Sequence, residues 1–299
     1  MLSFLKLIRY KNLIMVLLTM VLTKYALITS FTKEAYLSNL EFLILSISVI
    51  SITAGGYIIN DLFDITADKI NKPNKIFIEK SISKKKAKNS YLILTFVGLI
   101  LGVYLSIINL NNTTLLLYFI TVTSLYFYSK YLKKTVLLGN LMISILIVLP
   151  IFMVVSLNNS SITDFINDSY MELNNIIFLY LIFAFFTTLI REIIKDIEDV
   201  DGDVKIKAKT LPILFGRNRA TKVAFFFSGI LLIFLLLILQ YLKTNMVFLV
   251  YGIVFILLPL LYFMYKLWFS ESKKNYSKLS NLMKVIMFFG ILSMLLFKF

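Results

Sequence analysis

Cysteine is absent from all 299 residues, so the chain can form neither a disulfide nor a thiolate metal site. Histidine is absent too, which removes the usual neutral-pH general base and the commonest zinc ligand. Chemistry is left to carboxylates, lysines and tyrosines. Acidic residues are also scarce, 16 against 31 lysines and arginines, for a formal charge of +15. Polarity in general is in short supply: 59% of the residues are hydrophobic and the mean hydropathy is +0.87, far above what a soluble core requires. That composition belongs to an all-α polytopic membrane protein. A basic chain invites a nucleic-acid reading, but here the basic residues lie between apolar runs, where the positive-inside rule accounts for them better.

Nine apolar segments approach the roughly 20 residues needed for one crossing. They lie near 12–31, 41–62, 91–109, 114–132, 137–157, 174–194, 221–242, 246–268 and 281–298. Residues 1–11 carry Lys6, Arg9 and Lys11 before a run long enough to stay in the membrane, so no cleavable signal peptide is expected. Basic residues crowd the N-terminus and alternate connections. Of the 31 lysines and arginines, 27 fall on or beside one side, leaving only Lys24, Lys33, Lys243 and Lys298 elsewhere. This bias predicts a cytoplasmic N-terminus and, with nine spans, an outer C-terminus in the cell membrane.

Two stretches break the apolar pattern. The first is Asn60-Asp61-Leu62-Phe63-Asp64-Ile65-Thr66-Ala67-Asp68, in which Asn60, Asp61, Asp64 and Asp68 share one helical face. The second runs from Arg191 to Asp203 and aligns Glu192, Asp196, Asp199 and Asp203 on one stripe, with Glu198 and Asp201 pointing away. Gly202 is a candidate helix break before Asp203. Both clusters sit at the predicted cytoplasmic ends of helices. Carboxylates there oppose the helix dipole and one another, a conflict that a divalent cation resolves. A hard cation such as Mg²⁺ takes oxygen ligands and leaves room for substrate phosphates. The lysines that follow, Lys69, Lys72 and Lys75 in one case and Lys205, Lys207 and Lys209 in the other, suit anionic oxygens. Carboxylate, metal and phosphate with flanking cations is the arrangement expected for a diphosphate.

The polar segment 158–173 reads as an outer loop and divides the chain into comparable halves, about 1–157 and 174–299. In each half a helix ends in an acidic cluster followed by a long basic loop. The expectation is one membrane domain, 1–299, built from two pseudo-repeated halves.

The paired motifs Asn60-Asp61-x-x-Asp64-x-x-x-Asp68 and Asp196-x-x-Asp199-x-x-x-Asp203 resemble those of the UbiA superfamily of intramembrane prenyltransferases. Asn12, Asn71-Lys72-Pro73, Tyr126-x-Tyr128-Ser129, Lys133, Gly139-Asn140 and Lys209-Thr210-Leu211-Pro212 extend the resemblance over nearly the whole chain in order. Within the superfamily, the run Arg191 to Asp199 is most similar to the geranylgeranylglycerol-phosphate geranylgeranyltransferases of ether-lipid synthesis. The resemblance implies nine transmembrane helices around a central cavity, with a prenyl diphosphate held through Mg²⁺ by Asp61, Asp64, Asp68, Asp196, Asp199 and Asp203. Asn60, Lys72, Lys75, Tyr128, Lys130, Lys133, Asn140, Arg191, Lys195, Lys207 and Lys209 become candidate substrate contacts. Many members have arginines after the first motif where this chain has Lys72 and Lys75, which keep the charge but lack the bidentate fork.

The reaction implied is prenyl transfer to a lipophilic acceptor, either geranylgeranylglyceryl phosphate or an aromatic ring of the quinone precursors. An ion-coupled transporter is the competing class, since repeats and intramembrane acids occur there too. Against it, the acids lie at a membrane edge and each cluster precedes a basic loop.

Overall fold

The computed structural model describes residues 2–32, 37–73, 76–158, 168–242 and 245–298. A short helix α1, Leu2–Leu7, precedes α2, Tyr10–Phe31. The chain continues through α3 (Asn39–Asn71), α4 (Lys84–Ile108), α5 (Asn112–Lys130) and α6 (Leu138–Asn158). The second half holds α7 (Asp168–Lys205), a short α8 (Leu211–Phe215), α9 (Arg217–Tyr241), α10 (Met246–Trp268) and α11 (Lys273–Lys298). Eight of these, α2, α3, α4, α6, α7, α9, α10 and α11, are long and apolar enough to cross a membrane. The remaining expected span forms the 19-residue α5, but its asparagine, threonines, tyrosines and serines keep it out of that group.

Polar caps set where the helices begin. Ser38 starts α3 with a reciprocal box: its Oγ accepts from the Glu41 amide at 3.2 Å, and Glu41 Oε2 accepts from the Ser38 amide at 2.8 Å. Asn111, Asn245 and Ser272 cap α5, α10 and α11 in the same way, each accepting from a first-turn amide. The clearest departures from the expected boundaries are at the other ends. Helix α3 runs nine residues past the expected limit of 62, and α7 runs on to Lys205. Gly202 therefore does not break α7, and both acidic motifs are fully helical.

Lys24, one of the four lysines outside the basic side, is buried and occupied by structure. Its Nζ donates to the Leu37 carbonyl at 2.7 Å, the Ser38 carbonyl at 3.1 Å and Asn39 Oδ1 at 3.3 Å. The ammonium also lies 4.9 Å from the Tyr25 ring centre and 5.0 Å from that of Phe42. All three protons serve the entry into α3, so this cation is a structural pin. Lys24→Met is expected to cost about 1.5–3 kcal/mol, the range for hydrogen bonds to a charged group, as a lowered thermal midpoint of the detergent-purified protein.

Among the described residues two large apolar clusters fill most of the interior, and a smaller one joins α1, α3 and α4 through Leu7, Ile58 and Ala87. One of the large clusters joins α2, α3, α5 and α6 to the start of α7, with Met20, Leu27, Leu45, Tyr118, Val154 and Ile176 at its centre. The other packs α7 against α9, α10 and α11 through Ile190, Ile194, Leu231, Leu260, Phe263 and Met283. Helix α7 belongs to both. Close approach of α3 and α4 depends on Gly98, where a Cβ would meet the Ser48 carbonyl at 2.9 Å, and Ser48 Oγ donates to the Gly98 carbonyl at 2.6 Å. This packing holds the C-terminal ends of α3 and α7 side by side, and with them the two acidic motifs.

Candidate active site

The two motifs are joined by a single asparagine. Asn71, the last residue of α3, donates from Nδ2 to the Asp199 carbonyl at 2.7 Å and accepts at Oδ1 from the Gly202 amide at 2.8 Å. The two bonds tie a side chain at the end of α3 to the backbone of the last two turns of α7. The bridge requires Gly202: a Cβ there would sit 2.6 Å from the Ala67 carbonyl oxygen. Proximity, rather than backbone freedom, is the reason for this glycine.

Cations from four separate places in the chain reach the carboxylates. Arg9, just before α2, donates from Nη2 to Asp61 Oδ1 at 2.7 Å and stacks 4.9 Å over the Tyr57 ring, whose hydroxyl accepts from Asn12 at 3.3 Å. Lys133, in the turn between α5 and α6, pairs with Asp64 and approaches Asn60 Oδ1 at 3.4 Å. Lys72 pairs with Asp199 Oδ2 at 2.5 Å. Lys195 and Arg191 both contact Glu192, at 2.9 Å and 2.6 Å. Asn140, in the first turn of α6, donates to Asp196 Oδ2 at 2.8 Å.

The two lysines outside the spans respond differently. Burial, helped by Arg9 and Lys195, pushes the Lys133 ammonium down to about 8 despite the opposing charge of Asp203. Burial also works against Lys72, but there the charge and hydrogen bond of Asp199 outweigh it and its pKa is raised. Lys133 thus gives up its proton the more readily of the two.

These placements sort the expected residues. Asn60, Asp61, Asp64, Lys72, Lys133, Asn140, Arg191, Lys195, Asp196 and Asp199 converge at the α3–α7 end, with Asp203 buried beside them. Asp68 belongs to the same field of charge, feeling Asp61, Lys72, Arg9 and Asp199. Tyr128 lies within reach of the charges of Glu192, Asp196, Arg9 and Arg191. Lys130 is instead held over the rings of Tyr126 and Tyr131, at 5.5 Å and 4.9 Å. Lys207 and Lys209 are exposed, and Lys209 touches the site region only through its amide, which donates to the Lys134 carbonyl at 2.8 Å. Lys75 lies outside the described residues. Sequence reading did not single out Arg9 as a site residue. The only local signal is a cation one residue before an apolar helix, which occurs at many helix starts. Asn71 was visible in Asn71-Lys72-Pro73, though its bridging role was not.

The donor set fits a hard divalent cation. All the available ligands are carboxylate oxygens, and Asp199 Oδ1 is buried with no hydrogen-bond partner, a costly state for an anionic oxygen. Among the described residues no three carboxylates converge tightly enough to hold an ion as they stand. Asp61, Asp64 and Asp199 are each drawn toward a cation of the chain.

The sequence matches the UbiA prenyltransferase family over residues 13–292. The chain belongs to this family. As a UbiA-family chain it is an intramembrane prenyltransferase. It is 34% identical over 269 residues to the digeranylgeranylglyceryl phosphate synthase of Saccharolobus solfataricus, covering 89% of this chain and 87% of that one. A solved structure of a digeranylgeranylglyceryl phosphate synthase in membranes superposes with a TM-score of 0.67 at 28% identity, covering 98% of this chain and 96% of that one. A UbiA homologue from Archaeoglobus fulgidus, bound to GPP and Mg²⁺, shares the fold with a TM-score of 0.64 at 16% identity, covering 98% and 99%.

Proposed function

We propose that this UbiA-family chain transfers a geranylgeranyl group from geranylgeranyl diphosphate to geranylgeranylglyceryl phosphate, a step of ether-lipid synthesis that requires Mg²⁺. The observation that carries the reading is the pair of aspartate motifs on α3 and α7, clamped together by Asn71 and surrounded by cations. The synthase name of the Saccharolobus solfataricus relative supports the choice of acceptor. The site faces the cytoplasm with the N-terminus, and the C-terminus lies outside. In this reading α5 is the ninth span, the helices surround a central cavity, and the chain is one domain of two pseudo-repeated halves.

Asp61, Asp64 and Asp68 on one side and Asp196, Asp199 and Asp203 on the other would hold the ion, the unpaired Asp199 Oδ1 being the oxygen most in need of it. When bound, Mg²⁺ neutralises the diphosphate and makes it a better leaving group. Lys72 and Lys133, which now neutralise Asp199 and Asp64, are placed to turn to the diphosphate oxygens, and Lys195, beside Glu192, adds charge from α7. Asn60 and Asn140 hold Lys133 and Asp196 in position. Positive charge gathered where the leaving group becomes more negative favours breaking the C1–O bond. The surrounding apolar helices keep bulk water from the allylic carbon, so the acceptor hydroxyl attacks C1. No histidine takes the proton of that hydroxyl, and the carboxylates of the site are the bases the chain supplies.

The acceptor is tested with purified protein, Mg²⁺ and geranylgeranyl diphosphate. Mass spectrometry is expected to show a product with geranylgeranylglyceryl phosphate and none with dihydroxynaphthoate. The reverse pattern would transfer the chain to the quinone-forming, aromatic-acceptor branch.

A further inference from the structure

Where α9 begins and α10 ends, the fold leaves a cavity that the acid motifs do not reach. It measures about 260 Å³ and is lined by Asn218, Thr221, Lys222 and Phe225 of α9 and by Trp268, the last residue of α10. The four α9 residues follow an i, i+3, i+4, i+7 spacing, which puts them on one helical face. Trp268 stands opposite, its ring 5.1 Å from that of Phe225 at 63°. None of the residues expected at the active site lines this cavity. The lining residues also occupy a different face of α9 from Ala220, Ala224 and Leu231, which pack into the core shared with α7.

The cavity is chemically two-sided. Asn218 and Lys222 are polar and exposed, whereas Phe225 and Trp268 are aromatic. Thr221 is taken by structure: its Oγ1 donates to the Arg217 carbonyl at 2.9 Å and lies 3.0 Å from the Tyr276 hydroxyl. Among the described residues Lys222 makes no ion pair and no side-chain hydrogen bond. Arg219, three positions earlier and also exposed, is likewise unpaired, so two like charges are neighbours on the helix surface. The acids of the adjoining elements do not relieve them. Asp201 is held by Arg217 at 2.8 Å, and neither Glu198 on α7 nor Glu271 after α10 pairs with Arg219 or Lys222 or lines the cavity. On the other side, Trp268 is 61% exposed, and Phe226 and Phe269, which follow Phe225 and Trp268 in the chain, are exposed as well. Aromatic side chains exposed at the ends of membrane spans belong to the interface with lipid.

We propose that this cavity binds the phosphate headgroup of an anionic phospholipid of the surrounding bilayer, with Lys222 and Asn218 as its polar contacts and Phe225 and Trp268 against its glycerol and first acyl carbons. A ligand that carries charge next to hydrocarbon satisfies both sides at once, whereas a soluble anion leaves the aromatic side unused. The volume suits the headgroup: at about 30 Å³ per water it has room for about nine water molecules, close to the bulk of a phosphate and its glycerol. An anion at Lys222 also relieves the repulsion from Arg219. A lysine at the end of a span is where the protein meets the anionic headgroups of a leaflet. The ligand is a component of the bilayer rather than the acceptor, because the acceptor must reach the aspartates of α3 and α7, and this cavity lies on another face of α9 from the core that holds α7.

Trp268 is the only tryptophan of the chain, so its fluorescence reports on the cavity directly. The whole chain is placed in phosphatidylcholine vesicles that carry an equal minor share of either phosphatidylglycerol or phosphatidylcholine with brominated acyl chains, which quench a tryptophan they touch. Wild type is expected to be quenched more strongly by the brominated phosphatidylglycerol. Lys222→Met is expected to reduce that preference about fivefold, the worth of one lysine at an anionic surface, and Lys222→Arg to keep most of it. Lys85→Met removes an exposed lysine at the start of α4 and is expected to leave the preference unchanged. Equal quenching by the two lipids in wild type overturns the assignment, as does a preference that survives in Lys222→Met. A fall of the same size in Lys85→Met also overturns it, since the enrichment is then a diffuse effect of the basic side. The KM of Lys222→Met for geranylgeranylglyceryl phosphate is expected to match wild type, and a raised value gives the cavity to the acceptor instead. The fluorescence requires no turnover, so its outcome stands apart from the acceptor reading above.

Discussion

Asp199→Ala is expected to lower prenyl transfer by at least about 10²-fold in kcat/KM, and Asp64→Ala by a similar factor, measured with saturating Mg²⁺ and geranylgeranyl diphosphate. The magnitude follows the loss of one preorganised charge-stabilising group at a buried site. A different cause has to be separated from this one. Asp199 neutralises Lys72, so its removal also leaves a half-buried ammonium unpaired, and breaking a buried pair is itself destabilising. The double variant Lys72→Met with Asp199→Ala distinguishes the two. If the loss came from the orphaned lysine, the double variant would regain activity. It is expected to remain inactive and to melt nearer wild type than Asp199→Ala does, because the charge imbalance is gone while the metal ligand is still missing. Recovered turnover in the double variant would dismiss Asp199 as a ligand.

Gly202→Ala is expected to be the most damaging change of a residue that touches no substrate. The added methyl lies 2.6 Å from the Ala67 carbonyl oxygen, part of a helix backbone that cannot step aside cheaply. It also crowds the Asn71 side chain, whose two hydrogen bonds hold α3 to α7. Overpacking of this kind costs about 1–3 kcal/mol, and the two hydrogen bonds about 1 kcal/mol each. The motifs must then separate by some tenths of an ångström to an ångström, enough to cost about 10²-fold in rate when reacting groups need fixed positions. Activity should fall much further than the melting temperature. Asn71→Ala keeps the room but loses the bridge, so it is expected to be milder. A Gly202→Ala protein with wild-type activity would show that the two motifs need not be held at this spacing.

Much of this site was legible in the sequence because its chemistry is conspicuous there. Eight acids and amides in an apolar chain need no tertiary knowledge to be noticed, and helical spacing places Asp61, Asp64 and Asp68 on one face. The apolar runs gave nine helices in order, although polarity within α5 leaves it short of the other eight. The parts that escaped are those that depend on what lies across a gap. Arg9 and Asp61 are 52 positions apart and meet only because α2 packs on α3. Gly202 was expected as a helix breaker, since a glycine near charged residues reads as an end. The fold uses it for clearance, which depends on the location of Ala67 and is invisible along the chain. Lys24 reads as an exception to the charge bias, but its partners sit at the start of the next helix.

The pairing of Asp61, Asp64 and Asp199 with Arg9, Lys133 and Lys72 means that the chain carries its own counterions. In a zinc finger, folding and metal capture are one event, because nothing else compensates the ligands. Here Arg9, Lys133 and Lys72 already balance Asp61, Asp64 and Asp199, so in the proposed reaction a divalent ion would enter by exchange: it would take the carboxylates and leave the freed cations to a new anion, which diphosphate would provide. Metal and donor would then be thermodynamically linked, each making the other's arrival more favourable.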